Sequence, residues 1–145
     1  MKNFIALALV MLATPAIAQK TPVGVTYDTT IVRAIDGDTI VITAPYLPAP
    51  LKPELGVRIF GVDTPEKSFR AKCESEKVRG EQASVFVKDV IAGTKKHQVV
   101  LYDWDKFGGR VLGDIILNGQ SLRAALIANG FAREYYGEAK QSWCN

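Results

Sequence analysis

The run Val57-Arg58-Ile59-Phe60-Gly61-Val62-Asp63-Thr64-Pro65-Glu66 constrains this chain more than any other stretch. Val57, Ile59 and Phe60 suit a pleated, half-buried surface, and alternation sends Arg58 to the face opposite Val57 and Ile59. Gly61 lets the backbone bend, and Pro65 biases Thr64 towards an extended conformation. The stretch predicts a strand that carries a cation and exits into a turn bearing two carboxylates, Asp63 and Glu66. That grouping suits a divalent metal beside a phosphate. An edge strand with a surface ion pair would show the same pattern.

The neighbouring segments read as further short strands. Thr29 to Ile35 and Asp38 to Thr43 flank Asp36-Gly37, a hairpin signal that asks for positive φ. Residues 19 to 28 before them read as a loose leader. Pro45, Pro48, Pro50 and Pro53 crowd one segment, which must be an irregular loop, since prolines have no place in a sheet interior. A polar loop is expected from Asp63 to about Lys77. Ala83, Phe86, Val87, Val90 and Ile91 then recur at helical spacing and stop at Gly93. Gln98 to Trp104 and Arg110 to Leu117 are strand-like, separated by a turn at Asp105-Lys106-Phe107-Gly108-Gly109. Asn118-Gly119 signals another turn, and Ser121 can cap a short helix that ends before Gly130. The sum is a mainly β, α+β chain: a five-stranded, partly closed antiparallel barrel of the OB kind, with two to three packed helices.

At 145 residues and 48% hydrophobic, the chain fits one domain with a real core. Residues 1 to 18 stand apart. Lys2 precedes an apolar run to Ala13, and Ala16-Ile17-Ala18 has the small-x-small form of a secretory cleavage site. The expected organisation is a signal peptide over 1–18 and a single domain over 19–145, in a secreted or periplasmic protein. The net charge of +3 falls to +2 once Lys2 is lost, which permits a nucleic-acid partner without arguing for one. In an exported chain the two cysteines, Cys73 and Cys144, read as one disulfide; free thiols are the alternative.

Three charged clusters fall at strand ends or turns: Asp36 with Asp38, Arg58 with Asp63 and Glu66, and Asp105 with Lys106 and Arg110. Three segments carry a family resemblance. They are Arg-Ala-Ile-Asp-Gly-Asp-Thr at 33–39, Arg-Ile-Phe-Gly-Val-Asp-Thr-Pro-Glu at 58–66 and Asp-Lys-Phe-Gly-Gly-Arg at 105–110. In this order, with a helix in the intervening gap, they resemble the signature segments of the staphylococcal nuclease (thermonuclease) family. The resemblance implies an OB-fold, calcium-dependent nuclease that hydrolyses phosphodiester bonds in DNA and RNA. It implies that Asp38 and Asp63 ligate one Ca²⁺ through carboxylates, Thr64 through its carbonyl, and that Asp36 stands behind them. Glu66 would position or deprotonate the attacking water, while Arg58 and Arg110 would grip the phosphate.

The chemistry has a physical basis. A phosphodiester is an anion whose charge must be countered before a nucleophile approaches, and the arginine fork matches two phosphate oxygens. Beyond the phosphate, Lys106, Tyr135 and Tyr136 are candidates to line a groove, the tyrosines by stacking on bases. Stacking tolerates any base, so low sequence specificity is expected, in a protein expected to act as a monomer. The chain departs from the family pattern at Phe107, where the type enzyme has tyrosine, at the extra Gly109, and in its short end after Tyr136. A single histidine, His97, excludes a paired-histidine ribonuclease mechanism. The competing expectation is a binding module on the same barrel that holds nucleic acid or protein without cleaving it.

Overall fold

The computed structural model describes residues 22–145. The leader and cleavage signal at 1–18 lie outside the described residues. Among the described residues the chain forms nine strands, two α-helices and one 3-10 turn. The first strand, β1 (Val25–Asp28), is followed by β2 (Ile31–Ala34), β3 (Thr39–Thr43) and β4 (Glu54–Ile59). Short β5 (Val62–Asp63) leads through a 3-10 turn (Ser68–Arg70) into α1 (Glu74–Ala92). Then come β6 (His97–Trp104), β7 (Arg110–Leu117), β8 (Gln120–Ser121), α2 (Leu122–Ala128) and β9 (Arg133–Glu134).

The main sheet runs in the order β1-β6-β7-β4-β3-β2, with β8 added to β7, while β5 and β9 form a separate pair. β4 and β7 are parallel and the other pairs antiparallel. The OB-like, α+β reading of a partly closed barrel with packed helices holds, while the described strands number nine rather than five and one pair is parallel. A parallel pair needs a long crossover, and α1 with β6 supplies it. The small strands were invisible because two residues carry no alternation. The sheet is not closed: β1 and β2 are its two ends in the pairing order. Tyr27 and Asp28 of β1 and Ile42 and Thr43 of β3 border a cleft of 710 Å³ on that side.

Local readings met varied outcomes. Residues 25–28, expected as loose leader, pair with Gln98 to Leu101 of β6. The hairpin at Asp36-Gly37 forms, with β2 antiparallel to β3, but Gly37 does not adopt the positive φ expected of its turn. Gly37 is instead needed for close approach, since a Cβ there would lie 3.1 Å from Ala83 of α1 and 3.4 Å from Thr64. α1 starts at Glu74, earlier than the polar loop to Lys77 allowed. The proline-rich segment is irregular, as expected. The cap at Ser121 forms as read: its hydroxyl accepts from the Ala124 amide at 3.0 Å.

The alternation of β4 holds. Val57 and Ile59 are buried in the core with Ile40, Ile42, Val62, Val87, Ile115, Leu122 and Leu126, while Arg58 turns to the other face. Gly61 then takes φ +72°, the left-handed bend that ends β4 and starts β5. Phe86, Val90 and Ile91 lay the stripe of α1 against the same core.

Candidate functional site

Strand register builds one side of the site. Thr39 lies opposite Arg58, so Asp38, the residue before β3, comes within reach of the Arg58 guanidinium. Arg58 Nη1 is 2.9 Å from Asp38 Oδ2, and the Thr39 hydroxyl donates to Asp38 Oδ1 at 3.0 Å. Gly56 faces Arg110 across the parallel pair and Arg58 faces Leu112. Residues two apart on a strand share a face, so Arg58 and Arg110 project to the same side of the sheet. Gly56 also clears space for the Arg110 stem, which passes 3.3 Å from where a Cβ would stand.

Arg110 is itself held. Its Nε and Nη2 both donate to Asp105 Oδ2, at 2.9 and 2.6 Å, and Asp105 is buried. Gly108 and Gly109 both have φ near +70° (70° and 71°), and Trp104 still pairs with Val111. Gly109 thus lies in the turn, and Arg110 stands opposite Gly56. Phe107, 78% exposed at the tip, carries the Lys106 ammonium 5.0 Å from its ring centroid.

The other side is the segment from Asp63 to Lys67. It lies on α1 at Gly80, where a Cβ would come 2.4 Å from the Glu66 carbonyl oxygen and 2.8 Å from that of Pro65. Glu76, buried in the first turn of α1, accepts from the Glu66 amide at 3.3 Å and the Lys72 amide at 2.8 Å. Sequence reading missed Glu76. The signal was present as a Glu three residues past the helix N-cap, but the cap is Cys73 rather than the usual Ser or Thr. Lys67 also ties this segment to the first turn, donating to the Ile35 carbonyl at 2.5 Å. The turns carrying Asp38 and Asp63 therefore lie side by side, with Gly37 against Thr64.

Asp63 is 4% exposed, and both of its oxygens are engaged by the C-terminal tail. The Trp143 indole N–H donates to Oδ2 at 2.9 Å, and the Lys140 ammonium is 2.7 Å from Oδ1. Neither tail residue was singled out from sequence; a lone Trp and Lys in an irregular segment carry no pattern. The Cys73–Cys144 disulfide is formed, as read, joining residues 71 positions apart in sequence.

The chemistry of the donors fits a hard divalent cation, which takes oxygen ligands. Burial pushes the Asp38 carboxyl above its usual range; Arg58 pulls it back down, and the neighbouring Asp36 pushes it up again. An excess of buried negative charge is what a cation relieves, and at Asp63 an ammonium group already does so. The donors do not stand preassembled as one cluster. Among the described residues, the one set of three such side chains whose ligand atoms lie within 4.8 Å of one another is Cys73, Glu76 and Cys144, whose sulfurs are bonded together. Asp36, Asp38 and Asp63 form no such set; Arg58 pairs with Asp38, and the tail engages Asp63.

The groove candidates each have their own neighbours. Tyr135 lies under Lys140, 5.5 Å from ammonium to ring centroid. Tyr136 accepts from Arg123 at 2.5 Å and leans on Phe60, with centroids 5.9 Å apart. Lys106 sits on the hairpin with Phe107 instead. His97 is half-buried, with Nε2 3.1 Å from the Thr94 hydroxyl. Among the described residues no helix is long and apolar enough to cross a membrane.

Comparison with known proteins agrees with this architecture. The family described as staphylococcal nuclease homologue matches residues 56–143, from β4 to the buried Trp143. The chain is also 30% identical over 115 residues to a protein named Endonuclease YhcR from Bacillus subtilis (strain 168). That alignment covers 76% of this chain but 9% of the relative, so the chain spans under a tenth of its length. With a family match over more than half of its residues, this chain belongs to the staphylococcal nuclease family.

Proposed function

We propose that this protein is a metal-dependent nuclease that hydrolyses phosphodiester bonds in DNA or RNA with low sequence specificity. The observation that carries the reading is the pair of arginines on one sheet face, Arg58 and Arg110, beside turns bearing Asp38, Asp63 and Glu66. Family membership and the printed name of the relative, an endonuclease, support it.

In this reading Asp38 and Asp63 hold Ca²⁺ through carboxylates, with the Thr64 carbonyl, and Asp36 behind them. Such a cation would supply Lewis-acid charge to the phosphate. The remaining work falls to the side chains. Arg58 and Arg110 bind the phosphate and neutralise charge as a fifth oxygen adds to phosphorus, worth ~10²–10³ in rate per donor. Glu66 orients or deprotonates the attacking water, worth ~10²–10⁴. The ion pairs that hold both arginines keep their planes set before substrate arrives. Residues 1–18 act as an export signal, and an oxidised Cys73–Cys144 pair suits a secreted or periplasmic location. The protein acts as a monomer.

A nuclease assay in a DNA-containing gel, with and without calcium, tests the proposal. Clearing with calcium and none after EDTA and dialysis is expected. Clearing that survives chelation removes the metal, and none under any divalent cation leaves a binding module. Glu66→Gln is expected to retain the fold and lower turnover by at least ~10². Wild-type turnover in that variant would take Glu66 out of its role.

A further inference from the structure

Asp63 is held by a segment with little secondary structure of its own. After β9 the chain forms no further strand or helix, yet Trp143 is 7% exposed, the most deeply buried residue of the tail. Its place is over-determined. The next residue, Cys144, is bonded to Cys73 immediately before α1. The Arg133 guanidinium lies 3.7 Å from the centroid of the Trp143 ring and also donates to the Ser142 carbonyl at 2.9 Å. Beyond the disulfide, Arg79 of α1 donates to the Asn145 side chain at 2.7 Å.

The two tail groups on Asp63 differ in kind. The indole N–H is a donor only, is buried, and sits on Oδ2. It fixes the plane of the carboxylate and makes no claim on Oδ1. The Lys140 side chain is 46% exposed and has open water to move into, apart from the face of Tyr135. It is a half-exposed counter-ion on the oxygen that Trp143 leaves free. Groups that orient a metal-binding carboxylate commonly change metal affinity by ~10–100-fold when removed.

We propose that the disulfide-tethered tail is a positioning device for Asp63, in which Trp143 sets the carboxylate and Lys140 holds its second oxygen until a divalent cation displaces the ammonium. The proposal rests on the reading of Asp63 as a cation ligand. It assigns opposite effects to two neighbouring tail residues. Loss of Trp143's N–H weakens cation binding, and loss of Lys140's charge strengthens it. It also makes cation affinity depend on the oxidation state of Cys73 and Cys144. A tail with a merely structural role would shift both variants the same way, or neither.

The test is calcium titration by calorimetry, without nucleic acid, on the wild type, Lys140→Gln and Trp143→Phe, with circular dichroism as the check of fold. Phe keeps an aromatic ring for Arg133 to cover while it removes the donor and part of the indole's volume. Lys140→Gln is at a half-exposed site that does not threaten folding. Expected are a three- to five-fold tighter Kd for Lys140→Gln, roughly the scale of a half-exposed ion pair, and one about ten-fold weaker for Trp143→Phe. Reduction of the disulfide in the wild type is expected to weaken binding in the same direction as Trp143→Phe. If the wild type binds calcium and both variants match its Kd, the tail proposal falls while the metal reading stands. If the wild type binds no calcium at millimolar concentration, the metal reading falls and takes the tail proposal with it.

Discussion

Arg58 and Arg110 are fixed by strand register, whereas Asp63 is fixed by a tail that has almost none. On the first side, each position is set by a ladder of backbone hydrogen bonds: Thr39 against Arg58, Gly56 against Arg110. A one-residue slip would send every side chain of β4 to the wrong face and expose Val57 and Ile59, so the core enforces the register. On the second side, β5 and β9 share two paired positions, and the rest is a disulfide, a stacked guanidinium and two side chains on one carboxylate. The contrast teaches that a site can combine a half set by backbone pairing within a sheet and a half set by side chains and a disulfide. A phosphate grip benefits from the first. A cation ligand that must exchange an ammonium for a metal benefits from the second.

The strongest way to break this contrast is to cut the covalent tie. Cys73→Ser with Cys144→Ser is expected to cost about 4 kcal/mol, the chain-entropy value for a loop of this length. Amide exchange should rise over 133–145 well before it rises in β3, β4 and β7. Equal exchange in both regions would mean that the tail is not a separate unit.

A second, smaller test acts where the two halves meet. Ala ordinarily favours a helix over Gly by ~1 kcal/mol. Gly80→Ala is nevertheless expected to destabilise, because its methyl group would strike two backbone carbonyls, Glu66 and Pro65, that belong to a loop pinned by Glu76. Overpacking of this kind costs ~1–3 kcal/mol. Urea melts would show the loss, and a gain in stability would mean the Asp63–Lys67 segment is not seated on α1.

The smallest effect sharpens the comparison from the sheet side. Asp114 of β7 is a buried carboxylate whose partners all come from its own fold: the Ser121 hydroxyl and the amides of Ile115 and Arg123. Burial pushes its carboxyl above the usual range, and those hydrogen bonds only partly pull it back. A raised folded-state value means the folded protein holds its proton longer than the unfolded chain. That contribution to stability is full below the ordinary carboxylate range, near 3.8, and is lost as pH rises through the folded-state value. Asp114→Asn is therefore expected to flatten the fall in stability above that range, measured by urea melts at a series of pH values. An unchanged slope would show that Asp114 ionises in the fold at no cost.

Much of the sheet-borne half is legible in the sequence. Alternation in Val57-Arg58-Ile59 placed Arg58 opposite the core, and the spacing of Ala83, Phe86, Val87, Val90 and Ile91 gave the buried stripe of α1. Gly37 was read for the wrong reason: a turn glycine by its neighbours, it proved to be a contact glycine against Thr64 and Ala83. Glu76 was hidden behind an unusual cap. Lys140 and Trp143 could not be read at all, because a contact across 80 residues, such as Trp143 to Asp63, leaves no periodic trace.

The sequence alone determined which residues face inward, where the chain turns, and that two arginines and several acids cluster at strand ends. These follow from local periodicity and backbone preference, which act over a few residues. Only the tertiary structure decided that β4 runs parallel to β7, that the sheet stays open between β1 and β2, and that the tail returns to occupy Asp63. Those outcomes depend on which distant surfaces bury each other best, and that is a property of the whole packed chain rather than of any segment within it.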